Sequence, residues 1–177
     1  MTTEYLVLSA LGTDRPGIVD QLAKAAAASG CNIEDSRMTV LGGEFAVLML
    51  VTGKDAAIAA MERAAPQLGK QLDLMLLSKR TRPKAPQPAA RPYRIEVTAL
   101  DQPGLVHELA NFFSSRHLNI EALDTDTYAA PHTGSQMFGL TMTVNIPSTV
   151  QVAALREAFL DHCDARNLDV SFEAVRG

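Results

Sequence analysis

The chain has 177 residues, a length that fits two domains of about 80 to 90 residues better than one. With 47% hydrophobic and 20% charged residues, its composition is that of a soluble globular protein. Its formal net charge of −4 disfavours binding of nucleic acid through a general basic surface, and its two cysteines, without a Cys-x-x-Cys pair, provide neither a disulfide framework nor a zinc module. The first residues contain no basic leader and no long apolar span. We therefore expect a soluble, cytoplasmic chain without a membrane segment.

The first half of the chain predicts the element order βαββαβ. Short apolar or β-prone runs bounded by turn residues predict strands at 5–11, 33–41, 44–52 and 72–78. Apolar residues at helical spacing predict one helix from Pro16, capped near Gly30, and a second from Lys54 to about Leu68. The Gly42-Gly43 pair permits the positive φ angles of a tight hairpin between the middle strands.

The second half predicts the same order. Its strands are expected at 93–100, 120–128, 136–146 and 168–175, and its helices at 104–116 and from Ser148 to about Asn167. The hairpin at 129–134 is longer than its counterpart and could form a lid or a partner contact. Strand 94–99 alternates polar and apolar residues, whereas 45–51 is apolar on both faces, which predicts that the first sheet has a covering partner.

Matching segments 87 residues apart identify the chain as a duplicated domain. Residues 14–23 align without a gap with residues 101–110, and 32–34 align with 119–121 at the same offset. The prolines between the two halves favour an extended spacer and exclude a helix. We therefore predict domains at 1–79 and 93–177, joined by a basic, proline-rich linker at 80–92.

The matching loops before the first helix of each half are the best candidates for a binding site. Free N–H groups and the dipole at a helix start favour an anion such as a carboxylate. Each loop also contains an aspartate, which can attract an ammonium group, and a glycine, which allows close approach. A free amino acid carries both charges. The candidate ligand-binding residues are Asp14, Arg15, Pro16, Gly17, Ile18, Asp101, Gln102, Pro103, Gly104 and Leu105.

The same residues also have simpler interpretations. Each aspartate could cap its helix, and each Pro-Gly pair could merely shape a turn. Asn32 and Asn119, where the second strand of each half begins, either offer a side-chain amide to the ligand or form an ordinary turn. The sequence leaves these alternatives open.

Catalysis is disfavoured by the arrangement of the reactive side chains. Asp161, His162, Cys163 and Asp164 are adjacent in a predicted helix, and neighbouring helix residues do not face each other. We expect Cys163 to be a small buried group and His162 a surface side chain. The aromatic content of 5% also argues against base stacking on either sheet. We predict no catalytic residue, no metal site and no cofactor.

Residues 14–19 followed by 30–37, in a duplicated βαββαβ chain, resemble tandem ACT-domain proteins. This resemblance implies an α+β fold of two ferredoxin-like βαββαβ domains, each an antiparallel sheet with its helices on one face. It also implies that an amino-acid effector binds between two domains, where the first loop of one faces the second strand of another. Asn32 and Asn119 would then come from the opposing unit.

Within the ACT proteins, the chain resembles the repressors of the glycine cleavage operon. That resemblance implies a non-enzymatic, glycine-responsive homodimer that restrains a LysR-type activator by protein contact, without binding nucleic acid itself. Gln102 replaces the basic residue of the first loop and His117 stands where the first half has Gly30, so the two loop sites are expected to differ.

Two other functions compete with this one. A ligand-free ACT interaction module would use the same loops for subunit contacts that mediate oligomerisation. A fragment of an enzyme is the other rival, because ACT domains with similar openings precede folate-hydrolase or kinase catalytic domains. We expect no catalytic domain in 177 residues that already hold two ACT domains.

A basic segment lies between the halves. It has no acidic residue between Asp73 and Glu96, and its six basic residues are Lys79, Arg80, Arg82, Lys84, Arg91 and Arg94. A solvated linker is the simpler interpretation. Docking onto an acidic partner, or onto DNA already held by a regulator, is the alternative.

Overall fold

The computed structural model describes residues 2–83 and 89–175, and the chain divides into two compact units, Met1–Ala85 and Pro86–Gly177. The first unit contains β1 (Glu4–Thr13), α1 (Ile18–Ala28), β2 (Asn32–Leu41), β3 (Glu44–Gly53), α2 (Asp55–Leu72) and β4 (Met75–Thr81). The second contains β5 (Ala90–Leu100), α3 (Leu105–Ser114), β6 (Asn119–Ala129), β7 (Gln136–Pro147), α4 (Val152–Asp164) and β8 (Asp169–Ala174).

Each unit forms one four-stranded antiparallel sheet, with strand order β2-β3-β1-β4 in the first and β6-β7-β5-β8 in the second. Alternate side chains of a strand point to opposite faces, so residues two apart share a face. In β1, Leu6, Leu8 and Ala10 are buried in one core with the apolar residues of α1 and α2. The predicted α+β class, with two ferredoxin-like units and helices on one face of each sheet, is confirmed.

The core of the second unit is richer in aromatic side chains than that of the first, which contains Phe45 among aliphatic residues. Phe112 and Phe113 of α3 both pack against Phe159 of α4, with ring centroids 4.9 Å apart in each pair. These rings lie on the same side of the sheet as the buried residues of β5 and β7. The two helices therefore hold each other as well as the sheet.

The four described helices end with the same backbone device. A residue with positive φ follows each helix, namely Gly30, Asp73, His117 or Asn167. After α1, the Cys31 N–H donates to the Ala26 carbonyl and the Gly30 N–H to the Ala27 carbonyl, which is the Schellman pattern. The predicted cap at Gly30 is confirmed. His117 ends α3 in the same pattern, although the left-handed conformation is energetically unfavourable for a residue that has a Cβ.

Some predicted element bounds were wrong. The first helix begins at Ile18, not Pro16, because Gly17 precedes it in a left-handed conformation. The second helix runs past Leu68 to Leu72, so the following strand is β4 rather than 72–78. The fourth helix begins at Val152 rather than Ser148.

The two ends of the segment predicted as a linker, 80–92, belong to strands. Residues 80–81 continue β4, and residues 90–92 open β5. Residues 84–88, on which the prediction of an extended proline-rich spacer mostly rests, lie outside the described residues.

The hairpin predictions hold at the level of the backbone. Gly42 and Gly43 both have positive φ, 65° and 111°, and form the two-residue turn between β2 and β3. In the second unit, residues 130–135 separate β6 from β7, and this longer connection is closed by a bond from the Ala130 N–H to the Ser135 carbonyl.

Candidate functional site

The first candidate loop, Asp14–Gly17 (loop 1), joins the end of β1 to the start of α1. The Asp14 N–H donates to the carbonyl of Gly43 at 3.1 Å, which fixes the loop beside the β2–β3 hairpin. Gly17 has φ 92° and ψ −4°, and a Cβ built on it would meet no heavy atom within 4 Å. The glycine is therefore required by the backbone conformation, and the space in front of it is open.

Backbone donors are exposed at the start of α1. The Gln21 N–H donates to the Gly17 carbonyl at 3.0 Å. The N–H groups of Ile18, Val19 and Asp20 precede this bond and have no partner within the helix. Together with the positive end of the helix dipole, they form a set of donors that suits a carboxylate.

Asp14 and Asp101 do not cap the helices that follow them. The N-cap residues are Gly17 and Gly104, and neither α1 nor α3 has a side-chain cap hydrogen bond. The interpretation of these aspartates as helix caps was therefore wrong, because the turn places the aspartate three residues before the N-cap. The side chains of Asp14 and Asp101 are exposed beside their loops.

Arg15 links loop 1 to the far end of α2. Its Nη2 donates to the carbonyl of Leu72, the last residue of that helix. The C-terminal carbonyls of a helix carry partial negative charge, so a guanidinium is favourable there. The side chain thereby joins the candidate ligand loop to the helix end that precedes β4.

A cavity of about 270 Å³ lies in front of loop 1. Its lining includes four of the predicted residues: Asp14, Arg15, Gly17 and Ile18. Pro16 is exposed beside this group but does not line the cavity. Four further lining residues were not predicted, namely Val19, Asp20, Met38 and Phe45.

Met38 and Phe45 were missed because only the fold brings them to the loop. They lie on β2 and β3, on the helix side of the sheet, and Met38 is 55% exposed although it pairs with the buried Val47. The sequence shows that Met38 is an apolar residue in a strand, but the strand pairing that brings it to the cavity is visible only in the tertiary structure. These two side chains supply an apolar floor for the cavity.

The second candidate loop, Asp101–Gly104 (loop 2), repeats the backbone geometry with different side chains. Gly104 has φ 97°, the Asp101 N–H donates to the Gln136 carbonyl at 2.9 Å, and Leu105 is the buried first residue of α3. Gln102, Pro103 and Gly104 are exposed. At the 87-residue offset, Thr125 replaces Met38 and His107 replaces Asp20. The two loops share their donors but not their charges.

Asn32 and Asn119 lie far from the loop of their own unit. Asn32 pairs with Thr52, whereas loop 1 is bonded to the hairpin at the other end of β3. The eight steps along the strand from Glu44 to Thr52 span about 26 Å at ~3.3 Å per step. Asn119 pairs with Asn145 at the corresponding end of β7. Neither asparagine can share a small ligand with its own loop, so only an opposing unit could supply it.

His162 is half-buried rather than the surface side chain that was expected. Its ring lies 5.3 Å from that of Phe112, its Nε2 is buried without a hydrogen-bond partner, and its Nδ1 faces Arg166 Nη1 at 3.3 Å. Burial, reinforced by the charges of Arg166 and Arg116 and opposed by that of Glu108, lowers the pKa of His162 below its usual value.

Cys163 is fully buried, as predicted, and burial raises the pKa of its thiol to about 11. Because the thiolate is the reactive form, this cysteine is a poor nucleophile. In the described parts of the chain, no three His, Cys, Asp or Glu side chains converge on a position suited to a metal ion.

Both ends of the basic segment are engaged within their units. Arg80 forms ion pairs with Glu62 at 2.9 Å and with Asp55 at 2.6 Å, both on α2, and Arg94 pairs with Glu96 at 2.6 Å. These exposed pairs contribute little to stability, but they partly neutralise the charges that a partner would meet.

Within residues 2–83 and 89–175, no helix is both long and apolar enough to cross a membrane.

Comparison with known proteins supports a regulatory family. The ACT domain family model matches residues 4–78. The chain is 36% identical over 173 residues, 97% of this chain and 90% of the relative, to the glycine cleavage system transcriptional repressor of Escherichia coli strain K12.

Two solved structures cover the whole fold. A protein provisionally named as a glycine cleavage system transcriptional repressor superposes with TM-score 0.77 at 32% identity, over 100% of both chains. A protein of unknown function from Galdieria sulphuraria superposes with TM-score 0.80 at 27% identity, over 99% of this chain and 100% of that one.

Proposed function

Because the chain belongs to the family of glycine cleavage system transcriptional repressors, with ACT-domain architecture, we propose that it is a non-enzymatic amino-acid sensor whose ligand is glycine. The observation that carries the proposal is the geometry of loop 1. Helix-start N–H groups lie beside the Asp14 carboxylate at a cavity of about 270 Å³. An α-amino acid carries the two charges that match these two groups.

The ligand carboxylate is placed on the N–H groups of Ile18, Val19 and Asp20. The ammonium group is placed on Asp14 of the same loop. The Asp20 carboxylate also lines the cavity and would repel the ligand carboxylate, whereas the Arg15 guanidinium attracts it. The first-unit site therefore contains one cation beside two carboxylates, while Gln102 leaves the second-unit site without a cation at the same position.

Arg15 provides a route from the ligand to the rest of the unit. Its guanidinium bonds a neutral carbonyl at the end of α2, and a ligand carboxylate is a stronger acceptor for the same group. A ligand carboxylate that binds the Arg15 guanidinium stabilises an arrangement in which the hydrogen bond from Arg15 to the Leu72 carbonyl, at the end of α2, is broken. The shift is limited to the difference in glycine affinity between the two arrangements.

The regulated output is contact with another protein. We propose that the chain, as a homodimer, restrains a LysR-type activator of the glycine cleavage operon, and that glycine weakens or strengthens this contact. The net charge of −4 supports recognition of a protein rather than direct binding of nucleic acid.

Titration calorimetry tests the ligand. The full chain is titrated with glycine, then alanine and serine, and the same titrations are run on Asp14→Asn and on the matched Asp101→Asn. Saturable glycine binding that Asp14→Asn weakens by tenfold or more, with Asp101→Asn close to the unaltered chain, supports the first-unit site. Equal loss in both variants assigns ligands to both loops. The absence of heat with all three amino acids favours the ligand-free interaction module.

A reconstituted transcription assay tests the output. A glycine cleavage promoter, its LysR-type activator and RNA polymerase are combined with increasing amounts of the chain, with and without glycine. Repression that depends on the activator and responds to glycine supports the proposal. Repression of an activator-independent promoter, or binding of promoter DNA by the chain alone, would contradict it.

A further inference from the structure

The sheet of the first unit has an apolar face that its helices do not cover. This open face consists of the outward residues of the four strands, Val7, Ser9, Leu11, Asp35, Arg37, Thr39, Ala46, Leu48, Leu50, Met75, Leu77 and Lys79. Leu77, Met75 and Leu48 are 72%, 66% and 54% exposed. Contiguous apolar surface of this kind on a soluble protein marks an interaction site.

The centre of the corresponding face of the second unit is polar, and exposed apolar residues lie at its end, where Leu100, Met137 and Tyr128 form one row. Residues on β5 that face away from α3 and α4 include Arg94, Glu96 and Thr98, and their neighbours in register include Thr141 and Ser171. Leu77 of the first unit corresponds to Ser171 of the second, since the strand partners Ser9 and Glu96 are 87 residues apart. The fold itself therefore does not require an apolar open face.

We propose that two copies of this chain pair through the open face of the first unit, about a two-fold axis that runs parallel to the strands between β1 and β3. This assigns a surface to the homodimer, and it rests on the homodimer part of the proposed function. A two-fold pair uses the same patch on both copies, so the patch must be complementary to itself. The register of the strands supplies that complementarity.

The central strands match in size across such an axis. The rotation places β1 of one copy over β3 of the other at the same height along the strands. Ser9, which is small, then faces Leu48, and Leu11 faces Ala46. Large side chains of one strand therefore enter the spaces left by small side chains of the other, as close packing requires.

One row of the edge strands matches in charge across the same axis, whereas in the next row Arg37 of one copy faces Leu77 of the other. Lys79 of β4, Val7, Leu50 and Asp35 of β2 form one row across the sheet. The axis places β4 over β2, so Lys79 of one copy faces Asp35 of the other, twice per dimer. Sheets that pack face to face are rotated by about 30°, which displaces the edges by a few ångströms, and the lysine side chain is long enough to span that shift.

The surface beside Asp35 has room for the lysine. A depression of about 170 Å³ is lined by Val7, Asp35, Arg37, Leu48 and Leu50. Asp35 also pairs with Arg37 of its own strand, and both side chains are more than half exposed. A carboxylate can accept from two cations, so the lysine of a second copy adds to this pair rather than replacing it.

The other two-fold arrangement is unfavourable. An axis that runs across the strands places each strand over its own copy, so Arg37 faces Arg37 and Leu48 faces Leu48. Like charges then meet at one edge, and Lys79 faces Met75. The charges of the open face therefore select the axis parallel to the strands.

The size of the face predicts a reversible dimer. Four strands ~4.8 Å apart and about seven residues of each strand cover about 19 Å by 23 Å. Two such faces bury about 900 Å² in total, below the roughly 1,200–2,000 Å² of stable specific interfaces and within the range of weak, transient ones. We expect association in the micromolar range rather than an obligate dimer.

Sedimentation velocity over about 1 to 200 μM tests the surface, a range that brackets a micromolar dissociation constant. Leu48→Asp should weaken the dimer by roughly tenfold or more, since it places two carboxylates close to each other beside the two-fold axis, in the apolar centre of the face. The matched control Thr141→Asp, at the corresponding position of β7, should leave dimerisation unchanged. A chain that is monomeric throughout, or a dimer insensitive to Leu48→Asp, overturns the proposal.

Mixing two charge variants tests the identity of the partner and the axis together. Lys79→Asp and Asp35→Lys each create two repulsive pairs per homodimer, but a mixture of the two variants restores both attractive pairs. We expect each variant alone to associate at least about tenfold more weakly and the mixture to recover. Failure of the mixture to recover overturns the assignment of axis and face.

Glycine titration of Leu48→Asp separates this proposal from the sensor proposal. Loop 1 and its cavity lie on the helix side of the sheet, away from the open face. Because Asp14 and the N–H groups of α1 belong to one copy, glycine binding should persist in a variant that no longer dimerises. Loss of dimerisation with retained glycine binding supports the assigned surface, whereas loss of both in a variant that melts like the unaltered chain overturns it.

Discussion

Replacing Gly17 and Gly104 separately by alanine separates the backbone role of these loops from their role in binding. Both glycines have nearly the same left-handed conformation, φ 92° and φ 97°, and a Cβ on either would meet nothing within 4 Å. The substitutions therefore cause no steric clash. Their cost comes from the backbone alone and should be equal in the two units.

The magnitude follows from two opposing effects. Placing an L-residue in the left-handed region costs about 1–2 kcal/mol. Replacing glycine lowers the entropy of the unfolded chain, which offsets about 0.4–1 kcal/mol of that cost. We expect each variant to lose about 1 kcal/mol of unfolding free energy, or roughly 4–8 °C in the melting of the affected unit.

The assay combines calorimetric melting with glycine titration of both variants. In the proposed site, the Cβ added at position 17 occupies space through which the ligand approaches the N–H groups of α1. Gly17→Ala should therefore weaken glycine binding severalfold, while Gly104→Ala should leave first-unit binding unchanged at the same stability cost. Unaltered or raised stability in both variants would refute the backbone reasoning, and unaltered binding in Gly17→Ala would refute the ligand placement.

Three further outcomes are expected. His162 binds a proton less readily in the folded than in the unfolded chain, so its contribution to stability is lost as the pH falls below ~6.5. His162→Phe should therefore reduce the loss of second-unit stability between pH 7.5 and 5.5, measured by urea unfolding. His117→Gly should stabilise the second unit by about 0.5–1 kcal/mol in the same assay, because the residue has φ 57°; a destabilised variant would show that the imidazole makes a favourable contact. Gly12→Ala should destabilise the first unit by about 1–3 kcal/mol, because its Cβ would lie 2.7 Å from Leu74 Cδ2; a melting temperature equal to that of the unaltered chain would show that the neighbouring segment moves at little cost.

Local patterns predicted most of the fold. Helical spacing and β-prone runs gave the order of the elements in both halves, and Gly42-Gly43 and Gly30 gave the turn and the cap. These features depend on residues close together in the chain. The errors occurred at element ends, where α2 continued through residues 69–72, because tertiary packing rather than local propensity determines where a marginal helix stops.

The candidate site could be predicted only in part. Loop 1 contains its own signal, because Asp14 and Gly17 are close in sequence. Phe45 and Met38 join the cavity through strand pairing, and Arg15 reaches a helix end 57 residues away. The prediction that His162 lies at the surface was wrong because of another contact between residues distant in sequence, namely that of its ring with Phe112 of α3.

Repeats, periodicity and turn chemistry are local properties, and they were enough to predict a duplicated βαββαβ chain with an Asp-x-Pro-Gly loop before the first helix of each half. The folded unit was needed to show that Gly17 and Gly104 have positive φ, that Asn32 lies at the far end of the sheet from loop 1, and that Lys79 and Asp35 share one row of the open face. Register and strand order bring distant residues together, and they arise from packing of the whole unit.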